Sequence, residues 1–268
     1  MAKIEAETFS LFQELPPSLP PELTELITPP QTTIEVTPAN IAGFFREKRF
    51  ADLSWLPYFS GQYSYGKVPS EELLPGERLE LIIPEMIIKQ RVTVFVERLA
   101  SIIIKDPQKY ALGAILEGGY PLYDEALEAV LKKSVWGRHT FLLAHADIKS
   151  HWSSDSGKEE IKALPHPDIV NGTIYFVFEG VIDSAGTVNA LRSALSKPPY
   201  YEVQVVIISL TDKIGARPPE SQILSPNTLG LFGLDNFWMC GKGPDAKKGR
   251  ARLLPGGGVA RYYSPTEI

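Results

Sequence analysis

The sequence feature that most constrains the fold is the run of residues 173–212, in which two apolar segments flank a short amphipathic one. The outer segments, TIYFVFEGVI and YEVQVVIISLTD, are rich in β-branched and aromatic residues, as buried strands are. The middle segment, DSAGTVNALRSALSK, has apolar residues at helical spacing. Strand, helix and strand in this order predict a crossover unit on a mixed sheet.

Two longer helices are predicted upstream of this unit. Residues 84–106 could form a strand or a helix, but their apolar side chains recur at helical offsets. These side chains are Ile88, Val92, Phe95, Val96, Leu99, Ile102 and Ile103. Residues 120–137 have acidic side chains near their start and lysines near their end, an order that the helix dipole favours. Both segments are therefore predicted to be helices.

Turn signals complete the outline of the fold. Pro75-Gly76 precedes an alternating run that ends at Ile83, which predicts a turn followed by a strand. Asn171-Gly172 between apolar runs predicts a β-hairpin. Strands and helices together predict an α+β fold: a single domain with a mixed β-sheet flanked by a few helices, plus an extended Pro-rich N-terminal arm.

Composition divides the chain into three segments. Residues 1–40 are proline-rich and carry six glutamates against one lysine, which predicts an extended acidic arm. Residues 41–239 are predicted to form the α+β globular domain. Residues 240–268 contain glycines and carry six basic side chains against two carboxylates, which predicts a basic C-terminal segment.

Bulk properties limit the class of protein. The net charge of −5 argues against a surface that binds nucleic acid as a whole. No apolar run is long enough to predict a transmembrane helix, and no secretory signal is visible, so a cytoplasmic location is expected. A lone cysteine, Cys240, excludes internal disulfides and multi-cysteine zinc sites. We predict no cofactor.

The stretch HTFLLAHADIKSHW holds three of the four histidines. If it is a strand, His145 lies about 20 Å from both His139 and His151, too far for one metal ion to bind them together. His145 and Asp147 remain as a pair about 6–7 Å apart on one face, and they are the predicted metal ligands. The alternative is a plain core strand, because the residues of opposite parity are all apolar. No residue is assigned a catalytic role.

Two groups of side chains are predicted to bind partners. Apolar and aromatic residues at the two ends of the chain are predicted to bind a partner: Phe9, Leu11, Phe12, Leu19, Leu23, Phe232, Phe237 and Trp238. For the N-terminal residues the expected contact is another copy of the chain, with the chain's own body as the alternative. For residues 230–240 the alternatives are a partner protein, a membrane surface and the chain's own core. Basic residues near the C-terminus predict an anionic partner, either nucleic acid or a membrane surface: Lys242, Lys247, Lys248, Arg250, Arg252 and Arg261.

These features predict a non-catalytic assembly, scaffold or structural subunit that forms homo-oligomers through its N-terminal arm. A viral matrix-like or coat-like role is one version of this hypothesis. The first alternative is a metal-dependent enzyme centred on His145 and Asp147. The second is a nucleic-acid-binding protein that uses the basic C-terminal segment.

Overall fold

A computed structural model of the chain describes residues 19–27, 73–83, 85–116, 118–134, 141–150, 159–213, 227–234, 239–240 and 258–263. In chain order its elements are α1 (Pro21–Ile27), β1 (Arg78–Ile83), α2 (Glu85–Ile103), a 3-10 turn (Pro107–Lys109), β2 (Tyr110–Leu116), α3 (Tyr120–Lys133), β3 (Leu142–Leu143), β4 (Ala146–Ser150), β5 (Glu159–Ala163), α4 (Pro167–Val170), β6 (Ile174–Ile182), α5 (Gly186–Leu195), β7 (Gln204–Lys213), β8 (Thr228–Leu234), β9 (Met239–Cys240) and β10 (Val259–Tyr263). The predicted α+β class with a mixed sheet is confirmed.

The main sheet has seven strands and a largely parallel core. Its order is β5-β4-β2-β6-β7-β8, and β3 also pairs with β2. Strands β4, β2, β6, β7 and β8 run parallel to their neighbours, whereas β5 is antiparallel to β4. The predicted crossover is present, because β6 and β7 pair in parallel and α5 connects them.

Helices cover both faces of the main sheet. On one face α2 and α3 pack on the larger core, and all seven apolar residues predicted for the buried face of α2 are buried. On the other face α5 packs on a second core through Val188, Leu191 and Leu195. Each fully buried aliphatic side chain contributes about 1.5–3 kcal/mol, so these layers supply most of the stabilisation of the sheet.

The hairpin predicted at Asn171-Gly172 is wrong, although the turn is present. Gly172 has a φ of 72°, a conformation that glycine adopts without a steric penalty. The chain before it is the short helix α4, which His166 caps by accepting a hydrogen bond from the Asp168 amide. The strand after it, β6, pairs in parallel with its neighbours, so the two apolar runs are not adjacent antiparallel strands.

The predicted strand over residues 139–152 is interrupted in its middle. Between β3 and β4, the Ala144 carbonyl accepts a hydrogen bond from the Tyr175 hydroxyl at 2.8 Å. The Ala114 amide donates to Nδ1 of His145 at 3.1 Å. Gly113 permits this crossing, since a Cβ there would lie 1.5 Å from the Ala144 carbonyl oxygen. The side chains of Tyr175 and His145 therefore bond to backbone groups that would pair with a neighbouring strand if the strand were continuous.

Part of the predicted extended arm is a helix packed on the body. Leu23 of α1 is fully buried in the core formed with α2. Two exposed ion pairs join the helices, Glu22 with Lys105 at 2.9 Å and Glu25 with Arg98 at 3.4 Å. Exposed pairs contribute about 0–1 kcal/mol. The apolar contacts therefore hold α1 in place.

A second sheet joins two segments that are distant in the sequence. Its order is β1-β10-β9, with antiparallel pairing throughout. β1 confirms the strand predicted to end at Ile83. Residues 239–240 and 259–263, on both sides of the predicted boundary at 240, belong to this sheet. Among the helices of the described ranges, none is long and apolar enough to cross a membrane.

Candidate functional site at the carboxyl edge of the main sheet

The strand order of the main sheet reverses direction between β2 and β6, and the edge at this point is called the crevice below. After β2 the chain moves to one side, through α3 to β3 and β4, whereas after β6 it moves to the other side, through α5 to β7. In open α/β sheets, ligands bind where the strand order reverses in this way, outside the carboxyl ends of the strands. The loops after β2 and β6 therefore form the candidate site.

Glycines bring the loop after β2 into close contact with the last residues of β6. A Cβ on Gly119 would lie 1.9 Å from the carbonyl oxygen of Phe178. A Cβ on Gly180 would lie 2.7 Å from the carbonyl oxygen of Gly118. Both contacts are shorter than any side chain tolerates, so glycine is required on both sides of the crevice. The loop after β2 consequently lies directly on the end of β6.

Glu179 is a buried carboxyl at this end of β6. Its side chain accepts a hydrogen bond from the Gly180 amide at 2.7 Å, and 9% of the residue is exposed. Burial raises the pKa of Glu179 to about 7, because the ionised form is poorly solvated, while the amides of Gly180 and Val181 oppose the shift. A carboxyl with this pKa can hold or release a proton at neutral pH.

Asp183 and Lys213 form an ion pair where β6 and β7 end. Lys213 Nζ lies 2.8 Å from Asp183 Oδ2, and the two side chains are 8% and 22% exposed. Beside them, the Thr211 hydroxyl donates to the carbonyl oxygen of Gly180 at 3.1 Å. These contacts tie the ends of the two strands together. They also place a cation and a carboxylate at the mouth of the crevice.

The loop between β6 and α5 presents a helix N-terminus to the same crevice. Ala185 adopts a left-handed conformation with a φ of 64°, and α5 begins at the next residue, Gly186. The Gly186 amide donates to the Ser184 hydroxyl at 3.4 Å. The first amides of a helix have no partner within the helix and carry partial positive charge. This loop is therefore suited to an anion such as phosphate.

The small sheet forms a second wall near this edge. Met239 of β9 contacts the Thr211 hydroxyl through its sulfur at 3.3 Å. Met239 is directly opposite Arg261 of β10 in the ladder, so their side chains share a face of the small sheet. On this face Arg78 and Arg261 lie over the Tyr263 ring, 4.0 and 4.7 Å from its centroid. The two guanidinium groups therefore lie on the same face of the small sheet as Met239.

The predicted metal ligands lie at the start of β4. His145 uses Nδ1 as the acceptor for Ala114, and its ring packs edge-on against Tyr123 with centroids 4.7 Å apart. Burial lowers the pKa of His145, and Asp124 partly opposes this. In the described ranges no three His, Cys, Asp or Glu residues are grouped to hold a metal ion. Metal binding by His145 and Asp147 stays a prediction, and the described residues supply no third ligand beside them.

Several predicted partner-binding residues belong to the chain's own core. Leu23 and Phe232 are fully buried, and Leu19 packs against the same cluster. For these residues the structure agrees with the alternative of packing in the chain's own body. Arg261 lies on β10. The remaining predicted residues are outside the described ranges: Phe9, Leu11, Phe12, Phe237 and Trp238 for protein contact, and Lys242, Lys247, Lys248, Arg250 and Arg252 for anions.

Sequence reasoning assigned no role to Glu179, Asp183 or Lys213. The available signal was positional: two carboxylates follow the apolar part of one predicted parallel strand, and the lysine ends the next strand. Because parallel strands end at the same edge, these residues could have been expected to meet. The hairpin prediction before β6 obscured this arrangement.

Comparison with known proteins gives the fold a class. The sequence matches no protein-family model and no curated protein. Among solved structures, the hypoxanthine phosphoribosyltransferase of Trypanosoma cruzi in complex with the product IMP is similar, with a TM-score of 0.53 and 17% identity, over 70% of this chain and 95% of that chain. The hypoxanthine phosphoribosyltransferase of Staphylococcus aureus has a TM-score of 0.52 and 16% identity, over 70% of this chain and 94% of that chain.

The fold therefore resembles the type I phosphoribosyltransferase fold. This finding overturns the predicted function, because the similar structures are enzymes. The expectation of a non-catalytic assembly, scaffold or structural subunit, including its viral matrix-like or coat-like version, is wrong. The side chains at the carboxyl edge of the main sheet become the first candidates for function.

Proposed function

We propose that this chain is an enzyme of the phosphoribosyltransferase type, which transfers a 5-phosphoribosyl group from a diphosphate donor to a ring nitrogen of an acceptor. The observation that carries the proposal is the unit β6, loop 183–185 and α5. It lies at the strand-order reversal of a fold that resembles these enzymes, and it combines a helix N-terminus suited to an anion with the carboxyl groups of Glu179 and Asp183. The acceptor of the similar enzymes, hypoxanthine, is one candidate acceptor here.

The donor would be held mainly through its phosphate. The amides at the start of α5, with the hydroxyl groups of Ser184 and Thr187 beside them, would bind the 5-phosphate. The sugar would then lie over the end of β6, where Glu179 is buried. A carboxyl there can accept hydrogen bonds from sugar hydroxyls. The glycine contact between the β2 loop and β6 would shape the floor beneath it.

The reaction balances without a redox partner. The bond between the sugar anomeric carbon and the diphosphate oxygen breaks, a bond from the same carbon to the acceptor nitrogen forms, and diphosphate leaves with the electron pair. Positive charge develops on the sugar, and the acceptor nitrogen loses a proton. Asp183 is the carboxylate positioned to stabilise that charge or take that proton, and Lys213 fixes its orientation.

Turnover with a defined donor tests the proposal. The full chain would be incubated with 5-phosphoribosyl 1-diphosphate as its Mg²⁺ complex and a panel of acceptors that includes hypoxanthine. Phosphorus NMR would follow diphosphate release, and calorimetry would measure donor binding. Asp183→Asn should lower kcat by about 10²–10⁴. Asp168→Asn, in an exposed position on α4, is the matched control and should change kcat less than about twofold. The proposal is wrong if the donor neither binds nor turns over.

A cytoplasmic location is a proposal supported by the cysteine content: Cys240 is the single cysteine of the sequence and is buried as a thiol, as is common in reducing compartments. Self-association through residues 1–40 stays a prediction. An anionic macromolecular partner at residues 240–268 also stays a prediction.

A further inference from the structure

His145 contacts two elements that meet beside the crevice, β2 and the start of α3. Its Nδ1 accepts the hydrogen bond of the Ala114 amide at 3.1 Å, two residues before β2 ends. Its ring meets the ring of Tyr123 edge-on, with the centroids 4.7 Å apart, and Tyr123 lies in the first turn of α3. The histidine therefore bridges the strand and the helix on the two sides of the loop that connects them.

Tyr123 belongs to a group of four aromatic rings. Its centroid lies 5.7 Å from that of Tyr120, on the same helix, and 6.2 Å from that of Phe178, on β6. The rings of Tyr120 and His145 are also 5.9 Å apart. Rings at these separations attract one another beyond the effect of the area that they bury. Tyr123 is therefore held in place by rings from β6 and from the segment before β4.

The position of Tyr123 sets the position of the glycine turn that precedes α3. The Tyr123 amide donates to the Gly119 carbonyl at 3.0 Å. Gly119 lies so close to β6 that a Cβ on it would be 1.9 Å from the Phe178 carbonyl oxygen, and Phe178 immediately precedes Glu179. Packed side chains and a hydrogen-bonded helical turn transmit displacements between neighbouring groups. A displaced Tyr123 would consequently shift the contact between Gly119 and the end of β6.

The hydrogen bond and the ring contact of His145 have separable effects. Ala114 is fully buried, so its amide needs an acceptor, and loss of that acceptor lowers stability wherever α3 begins. The ring contact acts on Tyr123 and hence on the glycine turn. A substitution that keeps one contact and removes the other therefore distinguishes a stabilising role from a positioning role.

We propose that His145 is a positioning residue for the transfer reaction: its ring holds the first turn of α3 and thereby the floor beneath the sugar. This inference rests on the proposed function, because the floor affects the reaction only if a sugar lies over Glu179. His145 contacts no reacting atom in this arrangement and acts through Tyr123 and Gly119.

Two substitutions separate the contacts. His145→Asn keeps an acceptor near the position of Nδ1 and removes the ring, whereas His145→Phe keeps a ring and removes the acceptor. His145→Asn should raise the KM for 5-phosphoribosyl 1-diphosphate about tenfold, since a misplacement of about 1 Å costs up to about 10²-fold. His145→Phe should raise this KM less than about threefold. Its urea midpoint should nevertheless be the lower of the two, because the Ala114 amide loses its acceptor.

The value of kcat and a second histidine are the controls. In both variants kcat should change less than about threefold, because Asp183 and Lys213 are held by their own ion pair. His166→Asn should change the donor KM less than about twofold, because His166 is exposed and asparagine is also a good helix N-cap. The inference is overturned if His145→Phe raises the donor KM as much as His145→Asn does, or if neither substitution raises it.

Tyr123→Leu removes the same ring contact from the other side and tests the route. It should raise the donor KM at least as much as His145→Asn does. Adding His145→Asn to it should raise the KM less than about twofold further, because both substitutions break one contact. If the effects of the two substitutions multiply, the proposed route through Tyr123 is wrong.

Hydrogen exchange separates this inference from the proposed function, because it requires no turnover. Without donor, the amides of Gly119 and Tyr123 should exchange at least about threefold faster in His145→Asn than in the parent or His145→Phe. If they do so in a chain that neither binds nor turns over the donor, His145 positions the turn and the transferase proposal is wrong. If the donor turns over while exchange and KM are unchanged in His145→Asn, the positioning role is wrong and the transferase proposal stands.

Discussion

Replacing Glu179 by glutamine should stabilise the protein at alkaline pH. The pKa of this carboxyl is about 7 in the folded chain, against its ordinary value of 4.5. Each pKa unit corresponds to about 1.36 kcal/mol, so ionised Glu179 costs the folded chain about 3 kcal/mol at pH 8. Glutamine is neutral and nearly isosteric, and its oxygen can still accept the hydrogen bond from the Gly180 amide.

The sign of the pH dependence follows from the raised pKa. Between pH 4.5 and about 7 the folded chain binds this proton more tightly than the unfolded chain does, so its stability falls as the pH rises through this window. Below pH 4.5 both states are protonated and the cost disappears. Glu179→Gln should therefore equal the parent protein near pH 4 and exceed it by about 3 kcal/mol at pH 8.

Urea unfolding from pH 4 to pH 8 measures this difference. Glu97→Gln removes a carboxylate from an exposed position on α2 and is the control for the change in net charge. A variant at position 179 that is less stable than the parent at pH 8, or that retains the full loss of stability between pH 4.5 and 7, would refute the reasoning. We expect the stabilised variant to lose transferase activity, as happens when a strained site is kept for function.

Three further perturbations test the site and the core. Gly119→Ala puts a Cβ 1.9 Å from the Phe178 carbonyl oxygen and should destabilise the chain by about 1–3 kcal/mol or more, measured by urea unfolding. Lys213→Met removes the ion pair with Asp183 and should lower the free energy of unfolding by about 1–3 kcal/mol, measured by thermal unfolding. The same substitution should cost less in a chain that already carries Asp183→Asn. Leu23→Ala should cost about 2–5 kcal/mol in the same assay, because this side chain is fully buried.

Each of these changes has a matched control. Gly172→Asn should be mild, because asparagine tolerates positive φ and nothing lies within 4 Å of a Cβ there. Lys132→Met removes an exposed lysine, and Leu131→Ala truncates an exposed leucine, so both should change stability by less than about 0.5 kcal/mol. Equal effects in a test variant and its control would contradict the corresponding structural explanation.

The sequence predicted those helices and strands whose buried residues recur at a regular spacing along the chain. The apolar residues of α2 repeat at helical spacing, and all of them are buried, because a long helix on a sheet needs one continuous apolar face. The crossover through α5 was predictable for the same reason. The central strands β6 and β7 are apolar on both faces, as strands covered by helices on both sides must be.

Contacts between distant residues could not be predicted in this way. The break at His145 depends on Tyr175 and Ala114, which belong to neighbouring strands. Asn171-Gly172 specifies a turn but not what precedes it, and the His166 cap directs that segment into a helix. The site was missed because its members meet only through the order of parallel strands, which a single sequence does not display.

The pairing of β1 with β10 has a consequence for the order in which the chain folds. Hydrogen bonds in this sheet join residues 183 and 185 positions apart, Glu80 with Tyr263 and Glu77 with Tyr262. Closing so long a loop in an unfolded chain is entropically costly, whereas a formed main sheet already brings α2 and β8 close together. During synthesis the main sheet would therefore form first. The β1-β10 ladder would close last, so a chain still attached to the ribosome would carry a formed main sheet before its second sheet is complete.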